Sequence, residues 1–190
     1  MDTNEFWSGS FGDEYHKRNR VDWRARIPFW TDVIDRTGAR SAHEVGCACG
    51  WNLSAIRRAY PDIKLSGHDI NNEAVDQAFR AGLNVQSGVQ SKFQLFYAQV
   101  ELIFTAGVLI HISPDDIQEM MQNIIETSCD YVLAVEYESD HEEEILYRGH
   151  EGKLWKRDYG KLYQDLGLTL VDKWDAGSSF DKCTAWLLRK

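Results

Sequence analysis

The chain has 190 residues, 43% of them hydrophobic, and a net charge of −9. That length suits one domain with a full core, and the acidic total counts against a nucleic-acid partner, whose grip would rest on basic contacts to phosphate. The longest apolar run, "VELIFTAGVLI", is far short of the ~20 residues of a membrane span, and "MDTNEFWSGS" lacks the basic and apolar regions of a signal peptide, so no membrane association and a cytoplasmic location are expected.

In chain order, residues 12–19 and 22–37 are predicted helices. In the second, Trp23, Ile27, Trp30, Val33 and Ile34 recur at helical spacing; Pro28 is placed to kink or split it and Gly38 to end it. "SAHEVG" is a strand, "NLSAIRRAY" a helix ended by Pro61, "IKLSGHDI" a strand and "NEAVDQAFRAG" a helix. "LNVQSG" is a short strand and "VELIFTAG" a strongly apolar one. "SPDDIQEMMQNIIETS" opens with a capping pattern, Ser113 with Pro114 at the first helical position. "DYVLAVEY" is a strand, "KRDYGKLYQDLG" a helix, and "LTLVDKWD" and "CTAWLLRK" are final strands. Strand and helix alternate from 41 to about 137, which means a parallel sheet with helices on both faces. The closing "AGSSFD" turn is too short for a parallel crossover, so the last two strands are antiparallel neighbours. The expected fold is α/β, a Rossmann-like three-layer sandwich. Its seven-stranded sheet is mostly parallel and ends in a C-terminal antiparallel hairpin. Residues 1–38 form N-terminal lid helices, 41–137 the cofactor-binding core and 138–160 an acceptor-binding insert of the single domain.

Ligands of open parallel sheets bind at the carboxyl ends of the strands, where strand order reverses. The first strand-to-helix turn here is "EVGCACGWN", with Gly46 and Gly50 four apart. Asp69, nineteen residues beyond Gly50, ends the second strand, where an acid accepts hydrogen bonds from ribose hydroxyls. The spacing is not the G-x-G-x-x-G of nicotinamide binders, and Trp51 and Asn52 put bulk where a pyrophosphate would lie. Cys47 and Cys49 lack the C-x₂-C spacing of zinc sites and have no matching His/Cys pair, so no metal is expected and they read as small residues in a crowded turn. Glu44, two before the first glycine, either braces the turn or meets the ligand. Glu44-Val45-Gly46, with the distant acid and the terminal hairpin, resembles the E/D-x-G-x-G-x-G turn of class I methyltransferases, with Ala48 in place of the middle glycine.

The stretches "FWSGSFGDEYHKRN", "EVGCACGWNL", "FTAGVLIHISPDD" and "EYESDHEEEILYRGHEGKLWKRDYG" extend the likeness. Through them the chain resembles the pseudaminic acid biosynthesis-associated methylases, from residue 6 to about 160. The resemblance implies S-adenosylmethionine as cofactor, S-adenosylhomocysteine as product and an acidic or nucleotide-linked sugar as acceptor. Ala106 stands where a bulkier polar residue is usual, and "QSGVQSKFQLFYAQVELIF" lacks the acids usual between the third and fourth strands.

The expected cofactor-binding residues are Phe11, Tyr15 and Arg18 from the lid, with Arg18 or Arg20 on the methionine carboxylate. Glu44, Gly46, Cys47, Ala48, Gly50 and Asn52 come from the turn, and Asp69 and Ile70 from the second strand. Val89 and Gln90 are assigned to the loop after the third strand, and Thr105, Ala106 and Gly107 to the fourth. His111 is the candidate general base, having a suitable intrinsic pKa, with Glu136 and Tyr137 at the end of the fifth strand. Basic residues cluster at 16–26 and 148–157 on an otherwise acidic chain, which suits a small anionic ligand better than a polymer. Tyr147, Arg148, His150, Lys153, Lys156 and Arg157 are therefore the expected acceptor-binding set. A protein that binds the cofactor without turnover, or consumes it as a lyase, is the alternative, and the chain is expected as monomer or homodimer.

Overall fold

The computed structural model describes residues 3–88 and 100–190; Val89 and Gln90 lie outside them. The strands are β1 (Ser41–Val45), β2 (Lys64–Asp69), β3 (Val85–Ser87), β4 (Val100–Ala106), β5 (Ser128–Glu136), β6 (Glu143–Glu144), β7 (Trp155–Lys156), β8 (Thr169–Asp175) and β9 (Thr184–Arg189). Seven form one sheet in the order β3-β2-β1-β4-β5-β9-β8. It is parallel from β3 through β5, and the β5–β9 and β9–β8 pairs are antiparallel. The expected Rossmann-like sheet with its terminal hairpin is present. A second, two-stranded pair of β6 and β7 was not foreseen.

The continuous apolar reading of the central strands follows from burial on both faces. In β4, Leu102 and Phe104 enter the core beneath α3 (Ile27–Thr37), α4 (Trp51–Ala59) and α5 (Asn72–Arg80), packing with Trp30, Val33, Leu53, Ile56 and Ala78. Ile103, between them, faces the opposite core with Met120, Met121 and Ile124 of α6 (Ile117–Thr127) and Tyr159 and Tyr163 of α7 (Tyr159–Asp165). Strands β5 and β9 alternate in the same way, with Leu133 and Leu187 to one side and Val132, Trp186 and Leu188 to the other.

The split foreseen at Pro28 is present, and one helix start differs from expectation. Pro28 sits in the first turn of α3, and a 3₁₀ turn, Trp23–Arg26, precedes it, so the predicted 22–37 helix is split. Helix α6 begins at Ile117, not Pro114. The Ser113 hydroxyl donates to the Asp116 carboxylate at 2.6 Å and is lost as a backbone cap, while the Ser113 carbonyl closes a turn by accepting from Asp116 and Ile117 N–H. The 1–38 segment expected as a lid opens with two short helices, α1 (Thr3–Ser8) and α2 (Ser10–Arg18), ahead of the 3₁₀ turn and α3. Among the described residues no helix is long and apolar enough to cross a membrane.

Candidate functional site

Strand order reverses between β1 and β4, where Val45 lies beside Thr105, and the chain leaves both strands through glycines, Gly46 and Gly107. A cavity opens there. Its floor is the turn after β1, one side is the end of β2 with Asp69, Ile70 and Asn71, and the other is Ala106, Gly107 and Val108 with His111 and Ile112. Trp7, Gly12, Tyr15 and His16 of the lid form the roof, and Arg26 closes one end.

The floor has its shape because of two glycines. Gly46 has φ +71°, and a Cβ on it would stand 2.5 Å from Val108 Cγ2. Gly50 has φ +73° as the N-cap of α4, and its Cβ would stand 2.2 Å from Leu83 Cδ1. Gly50 therefore lets the start of α4 approach Leu83 and Ala78 and does not line the cavity. Ala48 takes a left-handed φ of +45° in the position of the missing glycine. Its N–H donates to Asp69 Oδ2 at 2.8 Å, while Asn71 N–H donates to Asp69 Oδ1 at 2.8 Å. Asp69 thus clamps the turn to the end of β2. A carboxylate offers about four lone-pair sites, so it keeps capacity for a ligand's hydroxyls. Burial raises its pKa, opposed by these backbone bonds.

Glu44, on β1, is 2% exposed. Asn52 Nδ2 donates to its Oε1 at 2.6 Å, but the buried Oε2 has no hydrogen-bond partner among the described residues. Burial pushes the Glu44 carboxyl up to about 8, against the pull of Asn52 and Arg26. Asn52 Oδ1 accepts from Arg26 Nη1 at 2.9 Å and from Trp30 Nε1 at 3.2 Å. The Arg26 Nε donates to the Ser179 carbonyl at 3.1 Å, and its guanidinium lies 4.3 Å from the centre of the Phe180 ring, which ties it to the β8–β9 connection.

On the opposite wall, His111 ends a 3₁₀ turn, Leu109–His111, and is 9% exposed. Its Nδ1 lies 2.6 Å from the Lys153 carbonyl. A carbonyl only accepts, so Nδ1 carries the hydrogen and Nε2 the lone pair of the neutral ring. Burial lowers His111 to about 4, against that bond. The rings of Trp7 and Tyr147 lie 4.6 and 5.0 Å from it. Trp7 Nε1 is buried in the cavity roof with no partner among the described residues.

Of the expected cofactor residues, the cavity brings together Tyr15, Glu44, Gly46, Cys47, Ala48, Asn52, Asp69, Ile70, Ala106 and Gly107. Thr105 is buried behind the wall. Phe11 stacks on Phe6 within the lid, and Arg18 lies over Phe11 on the outside. Arg20 is exposed, and Arg26 stands at the cavity in place of Arg18 and Arg20. The residue lies inside the basic run 16–26, which was legible; which of its five cations lines the cavity was not. Asn71 and Trp7 were also missed.

Glu136 does not reach the cavity. It is fully buried and accepts from the N–H groups of Val108, Leu109 and Ile110, holding the loop that carries His111. Burial raises it to about 7. Tyr137 turns away and bonds Asp181. The expected acceptor set is dispersed. Tyr147 packs on Trp7, Phe11 and His111. Arg148 and His150 are exposed on a turn above the lid, and Lys156 is half-buried on β7. Lys153 is buried with Nζ 5.3 Å from the Phe6 ring centre. Arg157 is 3% exposed, pairs with Glu142 at 2.7 Å and donates to the Ile112 carbonyl at 3.1 Å. Among the described residues no group of three or more His, Cys, Asp and Glu could hold a metal ion.

No protein-family model and no curated protein matches the chain. Solved structures do. The magnesium protoporphyrin IX methyltransferase of Synechocystis PCC 6803, with bound S-adenosylmethionine, superposes with a TM-score of 0.73 at 10% identity over 100% of this chain and 98% of that one. The 1,6-didemethyltoxoflavin-N1-methyltransferase of Burkholderia thailandensis, with 1,6-didemethyltoxoflavin and S-adenosylhomocysteine, gives 0.73 at 17% identity over 95% and 85%. An S-adenosylmethionine-dependent methyltransferase of Clostridium acetobutylicum ATCC 824 gives 0.68 at 14% identity over 94% and 97%. The fold is therefore one shared with solved methyltransferases, along essentially the whole chain.

Proposed function

We propose that this chain transfers a methyl group from S-adenosylmethionine to a hydroxyl or amine of a small molecule. The observation that carries the reading is one cavity, at the strand-order reversal, lined by the Glu44 and Asp69 carboxyl groups. The first suits an ammonium group and the second a ribose. The cofactors named in the solved neighbours carry both groups, and this agreement supports the reading.

When bound, S-adenosylmethionine supplies an electrophilic methyl group. The residues of this chain position the partners, which is the larger part of catalysis in a displacement of this kind. Asp69 accepts the ribose hydroxyls; Arg26 and Glu44 hold the amino-acid head. His111, fixed in one tautomer by the Lys153 carbonyl, orients the acceptor O–H or N–H with Nε2 and takes its proton. A weak base suffices, because that proton becomes strongly acidic as the methyl arrives. The lid keeps water out. We place the acceptor against Trp7, His111 and Ile112. An anionic or sugar acceptor would have to use groups at the rim, because Arg157 is held by Glu142 and the Ile112 carbonyl, His150 packs on Phe6 and Phe11, and Arg148 is exposed. We therefore favour an acceptor with an uncharged ring face.

Incubation of the protein with methyl-labelled S-adenosylmethionine and a metabolite extract, read by mass spectrometry, tests the reading. A labelled product and S-adenosylhomocysteine are expected. Methylthioadenosine would indicate a lyase, and neither product would sink methyl transfer. His111→Gln is expected to lower kcat by about 10²-fold with cofactor affinity unchanged. Because His111 is neutral above about pH 4, the wild-type rate should show no histidine limb between pH 5 and 8.

A further inference from the structure

Trp7, in the cavity roof, is held from several sides. Its carbonyl accepts from Asn71 Nδ2 at 3.2 Å. Its ring meets Phe6, Phe11 and Tyr15 edge-on, each with ring centres 5.5 Å apart. Toward the 138–158 arm and the loop after β4 it lies 6.2 Å from the Tyr147 ring and 4.6 Å from the His111 ring. Five rings thus fix the orientation of the indole. Its Nε1 is nonetheless buried with no hydrogen-bond partner among the described residues. An indole N–H only donates, and a buried donor left bare costs about 1–3 kcal/mol. Trp7 lines the cavity, so a ligand lying against it can supply the missing lone pair.

His111 offers the complementary atom. Its Nδ1 faces the Lys153 carbonyl at 2.6 Å, so Nε2 carries the lone pair. His111 lines the same cavity. A donor and an acceptor therefore sit on rings whose centres are 4.6 Å apart, within the span of one small ring system. The lining beside them is apolar, with Val108 and Ile112 both buried. A sugar turned to this wall would set its remaining hydroxyls against Val108 and Ile112 without partners, which is costly. A flat ring suits such a wall, where a few placed polar groups fix its orientation.

We propose that Trp7 is a specificity-determining residue and that the acceptor is a flat conjugated ring whose methylated hydroxyl or N–H stands next to a carbonyl or ring nitrogen. Trp7 Nε1 donates to that carbonyl or nitrogen while His111 Nε2 holds the neighbouring proton. This rests on the reading of the cavity as a methyl-transfer site. In such a ring the hydroxyl otherwise bonds its own neighbour; Trp7 occupies the neighbour's lone pair and leaves the hydroxyl proton to His111. Donation to the neighbour also draws electron density through the ring and makes the hydroxyl more acidic, which suits an imidazole that burial makes a weak base. In the transfer, the acceptor's lone pair forms the bond to the methyl carbon. The sulfur–methyl bond breaks with its electron pair going to sulfur, and the acceptor's proton passes to His111 Nε2 and on to solvent.

Binding to the protein saturated with S-adenosylhomocysteine tests this without turnover. The probes are nearly isosteric: 8-hydroxyquinoline has a ring nitrogen beside its hydroxyl, and 1-naphthol has carbon there. By calorimetry, 8-hydroxyquinoline is expected to bind about tenfold tighter. One of the seven indole N–H signals in the NMR spectrum of the wild-type chain should move downfield with it and not with 1-naphthol. Trp7→Phe, which keeps a ring for packing and removes the donor, should lose the preference. Equal affinity for the wild-type chain, a preference that survives in Trp7→Phe, or binding of neither probe overturns the proposal; S-adenosylhomocysteine then still binds, and the cofactor reading stands. A wild-type chain that binds no S-adenosylhomocysteine overturns both. The wild-type preference and the indole signal need no variant, so a poorly folding Trp7→Phe does not shield the idea.

Discussion

Ala48 holds the left-handed conformation, at φ +45°, at the point where its N–H must reach Asp69. A left-handed residue with a Cβ costs roughly 1–2 kcal/mol. Glycine would remove that strain but add about 0.4–1 kcal/mol of unfolded-chain entropy. Ala48→Gly should therefore stabilise the protein by about 0.5–1 kcal/mol, seen as a higher denaturant midpoint with an unchanged slope; an unchanged or lower midpoint would show that the turn is relaxed. The alanine is thus a strained copy of the usual glycine, and the turn keeps its hydrogen bond to the acid.

The lid is an element whose hold on the body can be named. Asn71 Nδ2 donates to Asp13 Oδ1 at 2.8 Å and to the Trp7 carbonyl at 3.2 Å, while its own Oδ1 caps α5 by accepting from Ala74 N–H. Asn71→Asp keeps the cap and loses both latches, setting two carboxylates face to face. Hydrogen exchange should then rise several-fold across α1 and α2 and stay unchanged in α5; equal protection would mean that ring packing alone holds the lid. The alternation of strands and helices, the terminal hairpin, the glycine turn and Asp69 were all legible in the sequence, because each leaves a local mark in spacing or residue type. The roles of Glu136 and Arg157 were not. Their types invite catalysis or anion binding, but only tertiary contact shows that one accepts three N–H groups of the 108–110 loop and the other anchors the Ile112 carbonyl. Arg26 escaped for a related reason: a split helix aims it at Asn52, twenty-six residues away.

Across the whole molecule, buried titratable groups pull stability in opposite directions with pH. His43 and His68 are fully buried, with His43 Nε2 and His68 Nδ1 2.8 Å apart. Burial lowers His43 to about 3, His111 to about 4, and His68 well below the ordinary range. Their share of stability is full above the unfolded value of about 6.5 and is lost as pH falls below it. Glu44 and Glu136, raised to about 8 and 7, favour the folded state most in acid and lose that share as pH rises through those values. The sum is a shallow maximum near pH 6, with about 1–2 kcal/mol lost by pH 5 and by pH 8.5, measurable as denaturant midpoints across that range; a monotonic profile would contradict it. A last consequence follows from the arm between β5 and α7. That segment supplies the Lys153 carbonyl that sets the His111 tautomer and the Arg157 side chain that pins the loop bearing it, while the glycine turn and Asp69 belong to the sheet. A change in the arm that moved the Lys153 carbonyl or the Arg157 side chain would therefore disturb the orientation of His111 and leave the hydrogen bond between the glycine turn and Asp69 untouched.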